Sequence, residues 1–218
     1  MFEAIRSTLG VTGSGILTAV CAYLLGSLSF AIIVCRLTLG RDIRAYGSGN
    51  AGLTNAYRTM GAAKTGLVLL GDTAKAAAAL AIGGALLGPG GKLLAGAFVI
   101  IGHVYPVFFG FRGGKGVLVG ATTLLMFDWR IFLVAFALFV LAVAVTRWVS
   151  LGSILGAISF PITMYLFYRN WTYTLVAALL GGAVVYMHRS NIRRILAGQE
   201  NRFSFRSKPQ IEGKKKEK

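Results

Sequence analysis

The stretch Ser7–Cys35, STLGVTGSGILTAVCAYLLGSLSFAIIVC, contains no charged side chain. A helix that crosses the hydrocarbon core of a bilayer needs about 20 apolar residues, so this stretch is long enough for one crossing. It is too long for the apolar core of a cleavable signal peptide, which holds roughly 7–15 residues. The stretch therefore predicts a membrane-spanning helix.

The composition of the whole chain agrees with a membrane protein. Of its 218 residues, 56% are apolar and 14% are charged, and the mean hydropathy is +0.69. A soluble domain carries about 25% charged residues. The net charge of +16 could indicate nucleic acid, but the cations flank apolar runs and fill the C-terminal tail, which suits anionic lipid. We expect a lipid bilayer as a partner and no nucleic acid.

Charged residues divide the rest of the chain into further apolar segments, at 62–87, 93–111, 116–127, 131–146, 148–168 and 170–187. The first of these is predicted to end in the turn Gly88-Pro-Gly-Gly91. The segments 116–127 and 131–146 are short for a span and form either two short spans or a re-entrant hairpin. The sequence therefore predicts an all-α, polytopic transmembrane helix bundle of about seven helices, five full spans plus a short pair.

Lysine and arginine predict the orientation, because cytoplasmic loops carry an excess of both. Eleven of them lie in the polar segments 36–64, 112–115, 147 and 189–194. The opposite set holds four, namely Arg6, Lys92, Arg130 and Arg169. This distribution places the N-terminus outside, the C-terminus in the cytoplasm and all four polar segments on the cytoplasmic face. We expect one integral membrane domain over residues 1–206 and a basic cytoplasmic tail over 207–218.

The first polar segment contains Gly47-Ser-Gly-Asn-Ala-Gly52, a formal match to a dinucleotide-binding fingerprint. That fingerprint requires a βαβ unit, whereas this loop lies between membrane helices, so we reject a dinucleotide site. Glycines still let backbone N–H groups approach an anion, and arginine pairs with phosphate through two N–H groups. The alternative is a flexible interhelical loop. The candidate phosphate-binding residues are Arg44, Gly47, Ser48, Gly49, Asn50, Gly52, Thr54, Asn55 and Arg58.

The second polar segment ends in Gly113-Gly114-Lys115-Gly116. It is not a nucleotide P-loop, because position 109 is Phe and no Ser or Thr follows the lysine. A lysine within a run of glycines can still form a compact cradle for a phosphate or an oxyanion. The preceding His103 is expected to have a structural role.

The third segment places Arg147, Ser150 and Ser153 at a helix junction, where an arginine is also an ordinary membrane anchor. In the fourth segment, His188 and Asn191 are three residues apart. That spacing puts them on one helix face. Arg194 can extend toward the same face. The alternative interpretation is that this segment is only the basic flank of the last membrane span.

The acidic residues are few, and they limit the possible chemistry. Asp72 and Lys75 lie inside an apolar segment at a spacing of three, so we expect them to pair with each other or to face the bundle interior. A role in substrate binding is the alternative. The chain has only seven acidic residues, and neither a metal-ligand cluster nor a Ser-His-Asp arrangement can be drawn. The sequence therefore predicts no metal, no cofactor and no conventional hydrolase nucleophile.

The four polar segments, taken in order, resemble the motifs of a bacterial membrane family, PlsY, that acylates glycerol 3-phosphate from an acyl-phosphate donor. The family shows Gly-Ser-Gly-Asn-x-Gly-x-Thr-Asn, as at 47–55, and Gly-His-x-x-Pro followed by Gly-Gly-Lys-Gly, as within 102–116. It also shows Arg-x-Val-Ser-Leu-Gly-Ser, as at 147–153, and His-Arg-x-Asn-Ile-x-Arg, as at 188–194. The resemblance covers residues 20–203.

The resemblance implies an enzyme that transfers an acyl group from acyl phosphate to the 1-hydroxyl of glycerol 3-phosphate, giving lysophosphatidic acid and phosphate. It implies a multi-pass protein of the bacterial cytoplasmic (inner) membrane with its active site on the cytoplasmic face. The residues expected to be catalytic are Lys115, Ser150, His188 and Asn191. Those expected to bind substrate are the first-loop residues named above with Gly113, Gly114, Gly116, Arg147, Ser153 and Arg194.

The sequence leaves several questions open. It does not decide which polar cluster holds which phosphate, or whether His188 or a substrate phosphate accepts the hydroxyl proton. A transporter for organic phosphate and a non-catalytic membrane scaffold are the alternative classes of protein. We expect a monomer, although no sequence feature determines the oligomeric state.

Overall fold

The computed structural model describes residues 1–204 and 209–211. Two 3-10 turns, Ile43–Ala45 and Val107–Phe109, lie in loops, and the described residues contain no β-strand. The all-α prediction is confirmed, with nine α-helices in the described part of the chain. They are α1 Phe2–Gly26, α2 Phe30–Leu39, α3 Leu53–Met60, α4 Ala62–Val104, α5 Val117–Phe127, α6 Trp129–Thr146, α7 Val149–Tyr168, α8 Trp171–Met187 and α9 Arg189–Leu196.

Several of these helices can cross a membrane. Four stretches of the described chain are long and apolar enough, namely Phe2–Leu39, Ala62–Phe109, Trp129–Thr146 and Val149–Tyr168. The pair α8 and α9, bent by 58°, adds a fifth if it counts as one span, whereas α5 is too short by itself. The polytopic prediction is therefore confirmed, and of the predicted short pair only the first member is short. The side of each terminus stays a prediction.

The helix α4 is two antiparallel arms. Leu87 (φ −136°, ψ 16°) and Gly88 (φ 61°, ψ −146°) are not helical. A Cβ atom added to Gly83 would overlap the carbonyl oxygen of Gly91, and the reverse is also true. In a continuous helix these residues would be about 12 Å apart along the axis, so the chain folds back between them. The turn predicted at 88–91 is confirmed.

The charge-free stretch at the start of the chain is divided in two. The helix α1 ends at Gly26, and α2 begins at Phe30 after a short break. The carbonyl oxygens of Gly26 and Leu28, which have no helical partner at this break, accept hydrogen bonds from Lys75 Nζ at 2.9 and 2.6 Å. The break therefore depends on a buried ammonium group supplied by α4.

The chain forms two compact units. One consists of residues 1–123 with 209–211, and in it α1 packs along α4 while α2 and α3 pack on α4. The other is residues 124–204, in which α6 packs on α7 and α7 on α8. The boundary falls within α5. The single domain expected over 1–206, with its separate tail, stays a prediction.

Candidate functional site

The loop between α2 and α3 is built around the side chain of Asn55, which is only 2% exposed. Its Oδ1 accepts a hydrogen bond from the backbone N–H of Ser48 at 2.9 Å. Its Nδ2 donates to the carbonyl oxygens of Tyr46 and Asn50 at 3.1 and 3.0 Å. Gly47 has a φ of 58°, and a Cβ atom there would overlap Asn55 Oδ1. The buried Asn55 side chain thus fixes the conformation of the glycine loop through these hydrogen bonds.

Arg44 joins this loop to the second glycine loop. Its Nε and Nη2 donate to the two carboxylate oxygens of Asp42 at 3.0 and 2.9 Å, and Arg36 Nη2 adds a third bond at 2.7 Å. Its Nη1 donates to the carbonyl oxygens of Phe109 and Arg112 at 2.7 and 3.0 Å. Four of the five guanidinium N–H groups are thus engaged, and the second N–H of Nη2 has no partner among residues 1–204 and 209–211.

These contacts also determine the charge of Asp42. The hydrogen bonds from Arg44 and Arg36, together with the charge of Arg44, outweigh partial burial and hold the pKa of Asp42 well below its usual range. The carboxylate is therefore ionised at all physiological pH values and offsets one of the five positive charges in the segment 36–64.

A buried ionic cluster lies under the second loop. Lys75 Nζ is 2.7 Å from Asp72 Oδ1 and 3.1 Å from His103 Nδ1, and the side chains of Asp72 and Lys75 are both 2% exposed. Asp72 Oδ1 lies 3.8 Å from His103 Nδ1. The predicted pairing of Asp72 with Lys75 is confirmed, and the structural role expected for His103 agrees with its burial in this cluster.

His103 in turn supports the second glycine loop. Its carbonyl oxygen accepts the N–H of Gly114 at 3.1 Å, and the carbonyl oxygen of Val104 accepts the N–H of Gly113 at 3.0 Å. A Cβ atom on Gly114 would overlap His103 Nε2, so only glycine fits above the imidazole ring. The N–H groups of Gly113 and Gly114, which we expected to face an anion, donate within the protein instead. The half-buried Lys115 follows directly.

In the second unit, three predicted site residues converge on a carboxylate that the sequence did not single out. Glu200 Oε1 accepts hydrogen bonds from Ser150 Oγ and Asn191 Nδ2, both at 2.7 Å. Its Oε2 pairs with Arg194 Nε, also at 2.7 Å, and the Glu200 side chain is 5% exposed. Burial alone would raise the pKa of Glu200, but the bonds from Asn191, Ser150 and Arg194 outweigh burial and lower it.

His188 lies at the junction of α8 and α9 and is 3% exposed. Its Nδ1 is 2.8 Å from the carbonyl oxygen of Val184. A carbonyl oxygen only accepts, so Nδ1 carries the hydrogen, and the neutral ring then has its lone pair on Nε2.

The remaining candidates have varied surroundings. Arg147 adopts a φ of 61° at the end of α6, its side chain is exposed, and its carbonyl oxygen accepts the N–H of Phe203 at 2.8 Å. Ser153 is buried and donates to the carbonyl oxygen of Val149 at 2.9 Å. Three further positions mark backbone features, namely Gly49 with φ 70°, Gly52 as the N-cap of α3, and Gly116 with φ 80°. Thr54 and Arg58 lie on α3, and Ser48 and Asn50 precede it.

The four predicted polar segments thus form two clusters. In the first unit, Arg44 joins the two glycine loops, and a Cβ atom on Gly114 would lie 2.8 Å from the carbonyl oxygen of Ala51. In the second unit, Glu200 joins the third and fourth segments. No group of three His, Cys, Asp or Glu side chains that could hold a metal ion occurs among residues 1–204 and 209–211.

The fold and these clusters define a polytopic membrane protein with two clusters of polar residues. Residues 16–198 match the sequence model of the glycerol-3-phosphate acyltransferase family, and the chain belongs to this family. The glycerol-3-phosphate acyltransferase of Clostridioides difficile (strain 630) is 43% identical over 195 residues, 87% of this chain and 95% of that protein. That of Thermoanaerobacter sp. (strain X514) is 38% identical over 187 residues, 86% and 94% respectively.

Two crystal structures of PlsY (YgiH), an integral membrane glycerol 3-phosphate acyltransferase, are similar to this structure. The glycerol 3-phosphate form has a TM-score of 0.82 and 34% sequence identity, covering 88% of this chain and 96% of that one. The lysophosphatidic acid form has a TM-score of 0.80 and 32% identity, covering 89% and 98%. The recognition of the PlsY family from the four motifs is confirmed.

Proposed function

We propose that this protein transfers a fatty acyl group from acyl phosphate to the 1-hydroxyl of glycerol 3-phosphate at the cytoplasmic face of the bacterial inner membrane. The observation that carries the proposal is its similarity to an acyltransferase crystallised with glycerol 3-phosphate and with lysophosphatidic acid. The second of these molecules is the first with one acyl chain added, so the pair supports glycerol 3-phosphate as the acceptor and lysophosphatidic acid as the product.

Acyl phosphate as the donor is supported by the lack of a His-x-x-x-x-Asp motif around either histidine. An acyl phosphate is a mixed anhydride with a good leaving group, so catalysis needs mainly positioning and charge stabilisation. An acyltransferase that uses a coenzyme A thioester would be expected to show His-x-x-x-x-Asp. Here Phe108 follows His103 at that spacing, and Arg193 follows His188.

The proposed step is an acyl substitution. The 1-hydroxyl oxygen of glycerol 3-phosphate attacks the acyl carbon, a new C–O ester bond forms, and the bond between the acyl carbon and the phosphate oxygen breaks. Phosphate leaves with the electron pair of that bond. The hydroxyl proton goes to a phosphate oxygen, which titrates near neutral pH, or to Nε2 of His188. We favour the phosphate oxygen, with His188 orienting the acceptor.

The two clusters have distinct proposed roles. Lys115, with the remaining N–H of Arg44 and the Ser48 and Thr54 hydroxyl groups, supplies positive charge and donors for one phosphate. In the other cluster, Glu200 holds Ser150, Asn191 and Arg194 in fixed rotamers, and these residues with His188 orient the acceptor. Fixed polar groups stabilise a developing charge without reorganisation during the reaction. Ser150 gives its single O–H to Glu200, so it can only accept a hydrogen bond from a hydroxyl group of the acceptor.

The test of the function is the purified protein in detergent, incubated with a long-chain acyl phosphate and glycerol 3-phosphate. We expect lysophosphatidic acid and phosphate in equal amounts. Formation of lysophosphatidic acid from an acyl thioester, with none from acyl phosphate, would contradict the proposed donor.

The cytoplasmic face is tested by cysteine labelling in a variant that lacks the native Cys21 and Cys35. Ala45 and Gly90 are both exposed, in the first polar loop and in the turn of α4. With the N-terminus outside, Ala45→Cys should react only with a reagent that enters the cytoplasm, and Gly90→Cys should react from outside. The opposite pattern would overturn the orientation. Ala51, although in the same loop as Ala45, is fully buried and is unsuitable.

A further inference from the structure

The segment Pro209–Ile211, close to the C-terminus, packs against the first unit. Ile211 is 6% exposed and belongs to an apolar cluster with Ile43, Ala56 and Met60. A Cβ atom on Gly61, directly after α3, would lie 3.0 Å from Pro209 Cγ. The sequence predicted a basic tail from residue 207, so this apolar contact was not expected. The segment also lies beyond residues 16–198, which match the family.

Two backbone hydrogen bonds attach the segment to α3. The N–H groups of Gln210 and Ile211 donate to the carbonyl oxygen of Thr59 at 3.1 and 3.0 Å. Thr59 is the penultimate residue of α3, and the last four carbonyl groups of a helix have no partner within it. The C-terminal segment therefore caps the end of α3 and buries an apolar side chain beside it.

From Thr59 the contacts continue to the first glycine loop. Thr59 Oγ1 donates to the carbonyl oxygen of Asn55 at 2.7 Å. A Cβ atom on Gly47 would lie 3.0 Å from Thr59 Cγ2, so the threonine methyl group touches the loop directly. Asn55 holds the loop through its side-chain amide, with its Oδ1 on the N–H of Ser48. One residue thus links the capped end of α3 to the loop.

We propose that Pro209–Ile211 is a positioning segment for the Gly47–Asn50 loop, with Ile211 as its anchor. The segment fixes the end of α3, and through Thr59 and Asn55 it keeps the loop in the conformation that receives a substrate phosphate. This inference rests on the proposed function for the role of the loop. It assigns part of the acceptor or donor affinity to residues outside the matched family region.

The test compares Ile211→Asp, Ile211→Ala and Ile211→Val with Gln210→Ala in the full-length protein. Gln210 is exposed, and its replacement by alanine keeps both backbone N–H groups, so it is the matched control. Loss of a buried isoleucine contact predicts a roughly tenfold rise in the apparent KM for one of the two phosphate substrates, with kcat changed less than about twofold. Ile211→Val and Gln210→Ala should resemble the wild type.

Hydrogen exchange gives a second readout that needs no activity. Peptides covering residues 46–60 should exchange faster in Ile211→Asp and Ile211→Ala, while peptides from α7 and α8 keep the wild-type rate. An unchanged KM together with unchanged exchange at 46–60 would overturn the proposal. So would faster exchange over the whole chain in the milder Ile211→Ala, because that marks general stability only. An inactive wild type whose 46–60 exchange responds to Ile211→Ala would contradict the proposed function and leave the positioning contact supported.

Discussion

At the scale of single residues, the largest departure from the sequence-based site is Glu200. Its partners Arg194, Asn191 and Ser150 precede it by 6, 9 and 50 residues. That spacing follows no helix or strand period, and an acid near a run of basic residues reads as an ordinary solvated charge. The donors Ser150 and Asn191 were found from their motifs, but the carboxylate that orients them became visible only in three dimensions.

Replacing Glu200 by Gln should destabilise the protein in a pH-dependent way. A glutamine removes charge-assisted hydrogen bonds worth about 1.5–3 kcal/mol each. Its side-chain NH₂ group is itself a donor and would lie opposite the donors of Ser150, Asn191 or Arg194. Because the native contacts lower the pKa of Glu200, their stabilisation is present above the ordinary pKa of glutamate. It is lost as the pH falls through the lowered value.

Thermal unfolding in detergent at neutral and acidic pH checks this prediction. The difference between wild type and Glu200→Gln should be large at pH 7 and shrink toward pH 3. Glu3→Gln, at an exposed acid in the first turn of α1, is the control and should have no effect. A difference that stayed constant over this pH range would show that the carboxylate charge is not responsible.

Arg44→Ala should lower kcat/KM roughly ten- to a hundredfold, since it removes charge-assisted bonds worth about 1.5–3 kcal/mol. The change also removes the link between the two glycine loops, because the Arg44 guanidinium donates to the carbonyl oxygens of Phe109 and Arg112 in the second loop. Arg41→Ala, at an exposed position in the same loop, is the charge-matched control and should keep near-normal activity. Near-normal activity of both variants would show that Arg44 has no role in substrate binding or catalysis.

His188→Gln should keep measurable turnover with a raised apparent KM for glycerol 3-phosphate. Glutamine preserves a hydrogen-bonding group but cannot act as a base at neutral pH. If a phosphate oxygen takes the hydroxyl proton, kcat falls only modestly. A loss of kcat near a thousandfold, within the range typical of general base catalysis, with acceptor binding intact, would instead identify His188 as the base.

At the scale of elements, the sequence predicted turns well and helix interiors less well. The Gly88-Pro89 turn was predicted because both residues interrupt a helix strongly. The break between α1 and α2 was missed, because Ser27, Leu28 and Ser29 carry no charge and extend an apolar run. What holds that break open is Lys75 on another helix, and contacts between distant residues are not visible in local patterns.

The close packing of the two arms of α4 leads to a stability prediction. Gly91→Ala would place a methyl group against the carbonyl oxygen of Gly83, and overpacking of this kind costs about 1–3 kcal/mol. Gly90→Ala, one residue earlier, meets no atom within 4 Å and should change stability by less than about 0.5 kcal/mol. Thermal unfolding of both variants in one detergent tests this. A Gly91→Ala variant as stable as Gly90→Ala would rule out the fold-back contact.

At the scale of the whole molecule, apolar composition and the ordered motifs were sufficient to predict an all-helical membrane protein and its family. These predictions succeed because a bilayer restricts a spanning chain to very few folds. The sequence did not predict that the backbone N–H groups of the second glycine loop donate to carbonyl oxygens within the protein. Gly113 and Gly114 look like an anion cradle in sequence, yet their N–H groups support the loop itself.

The proposed reaction has acyl phosphate as its donor and glycerol 3-phosphate as its acceptor. The most direct measurement is a competition in one reaction, with a deuterated acyl phosphate and an unlabelled acyl thioester of the same chain length present together. Mass spectrometry of the lysophosphatidic acid then identifies the donor, and added EDTA tests the expected independence from metal ions. We expect deuterated product alone, at a rate that EDTA does not change. Unlabelled product as the main species would contradict this expectation.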